Sequence, residues 1–208
     1  MRIKKICEYY IKGKNEKYDI RDIDKSLPQN DTIVGQVLKK LNNTTTKVKK
    51  DDDIKGNYYV FLNDTIYLSN KNKNGKEYSR LTLICHECIH SIQSKILQMI
   101  NFIFSNLEII IFTICLFLKI ILKKENYIDE IYIISVIVSI IPRFILEIHA
   151  SLSSISLTKE YLLDNNKTED ETNFVYNIVK FQVNALLPFM LINLCLWKIV
   201  RTAVVLIL

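Results

Sequence analysis

Hydrophobic residues are distributed unevenly along this chain, and the unevenness predicts its class. Residues up to about 95 are polar and rich in lysine, whereas the rest carries long apolar runs. A run of about 20 apolar residues is long enough for a helix to cross a hydrocarbon core about 30 Å thick. The runs predict membrane spans at about residues 102–122, 129–147 and 183–206. The alternative, a buried helical bundle in a soluble protein, is disfavoured because soluble helices average about 11–12 residues.

The polar part shows shorter periodic elements. Residues 30–42 have helical spacing after an Asn/Asp start, which predicts a capped helix. Residues 58–62 and 65–69 are β-rich and flank an Asn-Asp pair, which predicts a hairpin. Residues 81–97 lack Gly and Pro and predict a helix that continues into the first span. The polar tracts 43–57, 71–78 and 164–173 are predicted to be loops.

Composition and charge narrow the function classes. The net charge of +6 comes mostly from the first 95 residues, which hold 19 basic and 12 acidic side chains. No stripe of alternating aromatic and basic residues accompanies this charge, so a surface near anionic membrane lipid explains it better than nucleic-acid binding. The five cysteines are scattered and odd in number, which is not typical of a disulfide framework. The N-terminus is basic without an apolar core behind it, so we expect no signal peptide.

The most informative motif is His86-Glu87-Cys88-Ile89-His90. Residues four apart lie on one face of a helix, so His86 and His90 can direct two imidazoles at one ion. Glu87 lies about 100° around the helix, within reach of a water on that ion. Zinc lowers the pKa of such a water towards about 7, and a carboxylate can then take its proton during attack on a carbonyl. This is the HExxH arrangement of zincins, and chance matches in a chain with 3 histidines number on the order of 0.002.

A catalytic zinc usually has three protein ligands, so one more is expected from elsewhere. The segment at the end of the second span offers Glu147 and His149, which lie about 200° apart on a helix and cannot both face one ion. If the first two spans form a helical hairpin, both residues lie on the same side of the membrane as His86 and His90. The spacing leaves the choice open, and Glu147 has a further alternative role in an i−4 ion pair with Arg143.

These residues resemble a known group, the bacterial membrane-bound neutral zinc metallopeptidases called YugP-like. Its signature, His-Glu-x-x-His followed by a small residue, Ile and Gln, is matched by residues 86–93. Two spans later a Glu–x–x–Ala–Ser element is matched by residues 147–151. Looser similarity covers roughly residues 32–205. Ile89 departs from the pattern, which usually has Gly there.

The resemblance implies that Glu147 is the third zinc ligand, that His149 stands at a variable position, and that Ser151 orients a ligand. It also implies peptide-bond hydrolysis, with Glu87 as general base and peptides or membrane proteins as substrates. The strand of residues Ile66, Tyr67, Leu68 and Ser69 is expected to pair with the substrate backbone as an edge strand. Burial of this strand inside the head is the alternative.

The expected fold is therefore a mostly α integral membrane protein. Residues 1–97 would form a small soluble α/β zincin-like head ending in the HExxH helix, and residues 98–208 a membrane region with about three spans. On the side of the membrane that carries the head, five basic residues lie near the spans: Arg80, Lys95, Lys159, Lys167 and Lys180. The opposite side has two, Lys123 and Lys124. This excess predicts that the head and the zinc face the cytoplasm.

Two competing functions remain at this stage. An HtpX-like membrane metallopeptidase would share the chemistry, but such enzymes carry an acidic residue where Ser151 stands. A non-catalytic membrane scaffold, with a structural zinc or none, belongs to another class. Glu87 separates these hypotheses, because a structural zinc site does not need a carboxylate beside its first histidine.

Overall fold

The computed structural model describes residues 2–51, 56–69, 80–123 and 127–208, and the chain is mostly helical. The helices are α1 (Arg2–Ile6), a π-helical turn (Cys7–Ile11), α2 (Ile20–Lys25), α3 (Asn30–Lys40), α4 (Arg80–Ile92), α5 (Lys95–Ile120), α6 (Ile128–Asp164) and α7 (Glu169–Ile207). The strands are β1 (Lys47–Asp51), β2 (Tyr58–Val60) and β3 (Thr65–Ser69), with a 3₁₀ turn at Phe61–Asn63. Helices α5, α6 and α7 are long and apolar enough to cross a membrane.

The three strands form one small sheet in the order β1-β3-β2. β2 is antiparallel to β3, which confirms the predicted hairpin. β2 ends at Val60 because the next three residues form the 3₁₀ turn, after which Asp64 takes a left-handed conformation with φ 47°. β1 pairs in parallel with β3, so the prediction of a loop over its residues was wrong. Its sequence, KVKKD, is almost wholly exposed and lacks the alternation that marks a strand.

The predicted helix at residues 30–42 is confirmed as α3, which buries Ile33, Val34, Val37 and Leu38. The expectation of one helix from residue 81 into the first span was wrong. α4 ends at Ile92, and α5 starts anew behind Ser94, whose side chain accepts a hydrogen bond from the Leu97 N–H. A serine at this position caps a new helix instead of continuing the old one.

The predicted loop at 164–173 is shorter in the structure, because α6 continues to Asp164 and α7 begins at Glu169. Thr168 and Glu171 form a reciprocal cap: the Thr168 N–H donates to Glu171 Oε2 (3.0 Å) and the Glu171 N–H donates to Thr168 Oγ1 (3.2 Å). This is the capping box expected of a Thr-x-x-Glu sequence, so the start of α7 was readable. The loop predicted at 71–78 lies outside the described residues.

The chain divides into two compact units, and the division differs from the predicted one at residue 97. The first unit comprises Met1–Ile92 and His149–Leu186; its core combines α3, β3 and α4 with the second half of α6 and the first half of α7. The second half of α6 contributes buried residues such as Ala150 and Tyr161 to this core, which is why the first unit extends beyond the N-terminal half of the chain. The second unit comprises Gln93–Ile148 and Leu187–Leu208.

The second unit contains a buried group of charged side chains around Glu108, which is 1% exposed. Tyr132 Oη (2.6 Å) and Arg201 Nε (3.1 Å) donate to Glu108 Oε1. Lys198 Nζ (3.0 Å) and Arg201 Nη2 (2.7 Å) donate to Glu108 Oε2. These bonds join residues of α5, α6 and α7, and each carboxylate oxygen accepts two of them. We call this group the Glu108 cluster.

Candidate metal centre

Helix α4 divides into a core face and a site face. Ile84, Cys85, Cys88 and Ile89 are at most 4% exposed and pack in the core of the first unit, whereas His86, Glu87 and His90 are only partly buried. Burial raises the pKa of Cys85 to about 12 and also raises the pKa of the Cys88 thiol. Both cysteines therefore remain neutral core residues.

The start of α4 is fixed by Arg80. Its guanidinium forms an ion pair with Asp24 (3.2 Å), donates to Asn30 Oδ1 (2.9 Å) and donates to the Pro28 carbonyl (3.1 Å). These contacts anchor the first turn of the helix to α2 and α3. The two histidines are thus carried by a helix that is anchored at its first turn and buried along one face.

The two histidines lie together as their spacing predicts. His86 Nε2 and His90 Nε2 are 3.0 Å apart, and the ring planes are nearly perpendicular, at 84°. Glu147 joins them: one ligand atom from each of the three residues lies within 4.8 Å of the other two. Glu147 is 5% exposed and lies on α6 two residues before His149, on one uninterrupted helix.

This donor set fits zinc. Two atoms bound about 2.0–2.1 Å from a tetrahedral zinc ion are about 3.3 Å apart, close to the separation of the two imidazole nitrogens. The other separations are no more than 4.8 Å, so rotation of the flexible glutamate side chain can bring its oxygen to the tetrahedral distance. Two imidazoles and one carboxylate are also a typical ligand set of catalytic zinc, which keeps a fourth position for water.

Glu87 is held by the sheet. The backbone N–H of Tyr59, in β2, donates to Glu87 Oε2 at 2.8 Å. The phenol of Tyr59 in turn donates to Asp64 Oδ1 at 2.8 Å. Burial, and then this bond to Asp64, raise the pKa of Tyr59 well above its ordinary value, so the phenol remains a neutral donor. The carboxylate beside the first histidine is therefore positioned by an element outside its own helix.

The other end of the motif connects to the same aspartate. Asn43 Nδ2 donates to Ser91 Oγ (2.9 Å) and to Thr46 Oγ1 (2.8 Å), and Thr46 Oγ1 donates to Asp64 Oδ1 (2.9 Å). Hydrogen bonds thus run from Ser91, which follows His90, to Asp64. Sequence reasoning missed this role of Asp64, although an Asn-Asp pair at a hairpin turn was recognised.

Glu147 has two further neighbours of interest. Arg143 Nη2 lies 2.7 Å from Glu147 Oε1, which is the i−4 ion pair that was considered as an alternative role. Gln93 Nε2 donates to the carbonyl of Leu146 at 2.7 Å. Gln93 belongs to the quoted family signature, and this bond ties the residue after α4 to the backbone beside Glu147. The ion pair and the three-residue ligand group occur in the same structure.

The remaining predicted site residues are not brought to the ligand group. His149 is exposed and is not a member of it. Ser151 was expected to orient a ligand; within the described residues its hydroxyl has no hydrogen bond to His86, His90 or Glu147, and its carbonyl accepts from Ser154 Oγ (2.8 Å).

The expectation that Ile66, Tyr67, Leu68 and Ser69 form an edge strand for substrate was wrong. These residues belong to β3, the central strand, which pairs with β1 on one side and β2 on the other. A strand paired on both sides has no row of backbone groups left for a peptide. The alternative, a strand buried within the head, is confirmed, since four of its five residues are buried.

No model of a protein family matches this chain, and no curated protein or solved structure does. The resemblance to YugP-like peptidases is thus carried by the quoted motifs alone.

Proposed function

We propose that this chain is an integral-membrane zinc-dependent metallopeptidase. One observation carries the proposal: His86, His90 and Glu147 each offer a ligand atom within 4.8 Å of the others, with a glutamate directly after the first histidine. The three long apolar helices support the membrane location. The positive-inside bias of the flanking residues supports a cytoplasmic active site.

His86, His90 and Glu147 would hold the ion. Zinc bound there supplies Lewis-acid chemistry that makes water acidic near neutral pH. Glu87 acts as general base and accepts the proton of the attacking water, and the Tyr59 N–H at 2.8 Å keeps its carboxylate oriented for this step. Peptide bonds are proposed as substrate because the motifs at residues 86–93 and 147–151 resemble those of YugP-like peptidases; an HtpX-like peptidase is the alternative with the same chemistry.

A non-catalytic membrane protein is the competing proposal from another class. The ion pair between Arg143 and Glu147 favours it, because a paired Glu147 has a structural role without any metal. The position of Glu87 favours the enzyme, because neither a structural zinc site nor an ion pair needs a carboxylate held beside His86.

The test separates metal binding from chemistry in the full-length chain, purified in detergent. Zinc content and hydrolysis of unstructured fluorogenic peptides would be measured for wild type and for Glu87→Gln, Glu147→Ala and His149→Ala. We expect Glu87→Gln to retain zinc and to lose activity by about 10²–10⁴-fold, the range for a general base. Glu147→Ala should lose zinc, and His149→Ala, the matched control, should retain both zinc and activity. Full zinc occupancy in Glu147→Ala together with loss in His149→Ala would show that the ligand is misassigned.

A further inference from the structure

The N-terminal segment, residues 2–21, forms a basic cleft that the proposed peptidase mechanism does not use. The cleft has a volume of about 940 Å³, and its lining includes five basic and two acidic side chains. Lys5, Lys12 and Lys14 are exposed members of this lining. The net positive charge of the lining suits an anionic ligand.

The backbone of the segment is irregular in a way that exposes apolar side chains. Residues 7–11 form a π-helical turn closed by a bond from the Lys12 N–H to the Cys7 carbonyl (3.2 Å). Gly13, with φ 61°, ends the turn in the left-handed conformation that favours glycine. Ile6 and Ile11 are 55% and 60% exposed beside the lysines. Exposed isoleucines next to lysines are typical of segments that lie in a membrane interface.

Contacts with α7 place the segment beside the start of an apolar run. The Tyr10 ring lies 4.6 Å from the Phe181 ring, centroid to centroid, and Gln182 Nε2 donates to the Tyr10 carbonyl (3.4 Å). The apolar run of α7 begins at Val183, directly after these two residues. If this run enters the bilayer at Val183, the π-helical turn lies at the level of the lipid headgroups.

We propose that the N-terminal segment is an interfacial anchor that binds the headgroups of anionic phospholipids. Lys5, Lys12 and Lys14 contact phosphates, and Ile6 and Ile11 insert at the boundary of the acyl chains. Lys5 pairs with Glu16 (3.0 Å) and Lys14 with Asp19 (3.9 Å), and both exposed lysines can exchange these partners for a lipid phosphate because surface pairs contribute little. This inference rests on the proposed membrane insertion of α7 and is independent of zinc and catalysis.

The test uses the full chain in lipid nanodiscs of phosphatidylcholine alone or of phosphatidylcholine and phosphatidylglycerol at about 3:1, a mixture chosen to give a negative surface potential. Trp197, the single tryptophan, reports on α7, and Ile11→Trp in a Trp197→Phe background reports on the anchor. Quenching by brominated lipid acyl chains is the readout for both. We expect Trp197 to be quenched in both lipids and the tryptophan in Ile11→Trp to be quenched strongly only with phosphatidylglycerol.

Charge variants test the lysines. Changing Lys5, Lys12 and Lys14 together to Gln should lower the ratio of inserted to free segment by about fivefold per charge, on the order of a hundredfold in all. The matched control changes Lys39, Lys47 and Lys49 to Gln; these lysines are also exposed and lie outside the cleft. Circular dichroism verifies that both triple variants are folded.

Any other outcome contradicts the proposal that the N-terminal segment is an interfacial anchor. Equal quenching of Ile11→Trp in both lipids removes the headgroup specificity, and equal effects of the two triple variants remove the role of the cleft. Displacement by inorganic phosphate would assign the cleft to small anions instead of lipid. Absence of Trp197 quenching would remove the membrane premise itself, which distinguishes failure of the proposed membrane location from failure of the anchor.

Discussion

Two buried glutamates, Glu108 and Glu147, lie in apolar helices of the same unit but differ in their neighbours. Glu108 accepts four hydrogen bonds, all from side chains that can only donate in this setting: a phenol, an ammonium and a guanidinium. Glu147 lies with two imidazoles, each of which can offer one lone-pair nitrogen, and with one guanidinium. Both residues are at most 5% exposed. Burial therefore does not distinguish them, whereas the chemistry of their neighbours does.

The difference distinguishes a self-sufficient ionic cluster from a candidate metal site. Donors around a carboxylate satisfy its negative charge directly, so the Glu108 cluster needs nothing further from outside the chain. Imidazole nitrogens next to a carboxylate present several electron pairs to one point, which is the environment that a cation stabilises. Charged residues inside a membrane span are costly, so both arrangements require a specific reason to persist.

The largest expected effect is on the Glu108 cluster. Glu108→Gln removes the only acidic member and leaves Lys198 and Arg201 without a counter-charge, so we expect the free energy of unfolding to fall by about 3–5 kcal/mol. Unfolding in detergent, followed by circular dichroism, measures it. Asn106→Ala is the control on the same helix, because that side chain donates to the Phe102 carbonyl of its own helix. Zinc content should not change in either variant; zinc loss in Glu108→Gln would mean that the two glutamates are not independent.

The second effect concerns the partners of Glu147. If Glu147 is a zinc ligand, Glu147→Gln should weaken zinc binding by more than roughly 10–100-fold, the usual effect of mutating a residue that only hydrogen-bonds to a ligand. Arg143→Gln should leave the zinc content at one ion per chain. The Arg143 side chain is 45% exposed, and its Nη2 contacts only one oxygen of the Glu147 carboxylate. Competition with a chromogenic chelator gives both affinities. Equal zinc loss in the two variants would indicate that the ion pair, and not direct ligation, accounts for Glu147.

The smallest effect concerns Asp19, a carboxylate with its partner at the surface. Hydrogen bonds from Arg21 hold the pKa of Asp19 below its ordinary value of 3.8. The stability from this pair is therefore present above pH 3.8 and is lost as pH falls through the lower pKa of the folded state. Asp19→Asn keeps the N-cap of α2 but not the charge, so it should cost about 0.2–1 kcal/mol at pH 7 and nothing at the acidic end. Urea unfolding measured as a function of pH from 7 to 2 tests this, with the exposed Asp22→Asn as control.

The elements with strong local patterns were predictable. The apolar runs gave α5, α6 and α7, the periodic residues of α3 gave that helix, and the β-rich runs around Asn63 gave the hairpin. His86 and His90 were placed together by spacing alone, because four residues return a helix to the same face. The inclusion of Glu147 came from family resemblance, since spacing left His149 equally available.

Other features depend on distant contacts that no local pattern encodes. β1 is a polar, exposed strand that exists because β3 offers it a parallel partner. The second half of α6 belongs with the first unit because its buried face meets the core there. The Glu108 cluster needs three helices to assemble. The capping box at Thr168 and Glu171 could have been predicted from the sequence and was overlooked.

The hairpin turn at Asp64 has a consequence for the helix that carries the HExxH motif. Its carboxylate accepts from Tyr59, whose backbone N–H donates to Glu87. It also accepts from Thr46, which is joined through Asn43 to Ser91. One turn residue therefore supports the motif helix at two positions. Substitution at such a turn is ordinarily tolerated; here it would loosen the motif helix at two points. An acidic side chain that looks like an ordinary turn former therefore belongs to the support of the HExxH segment.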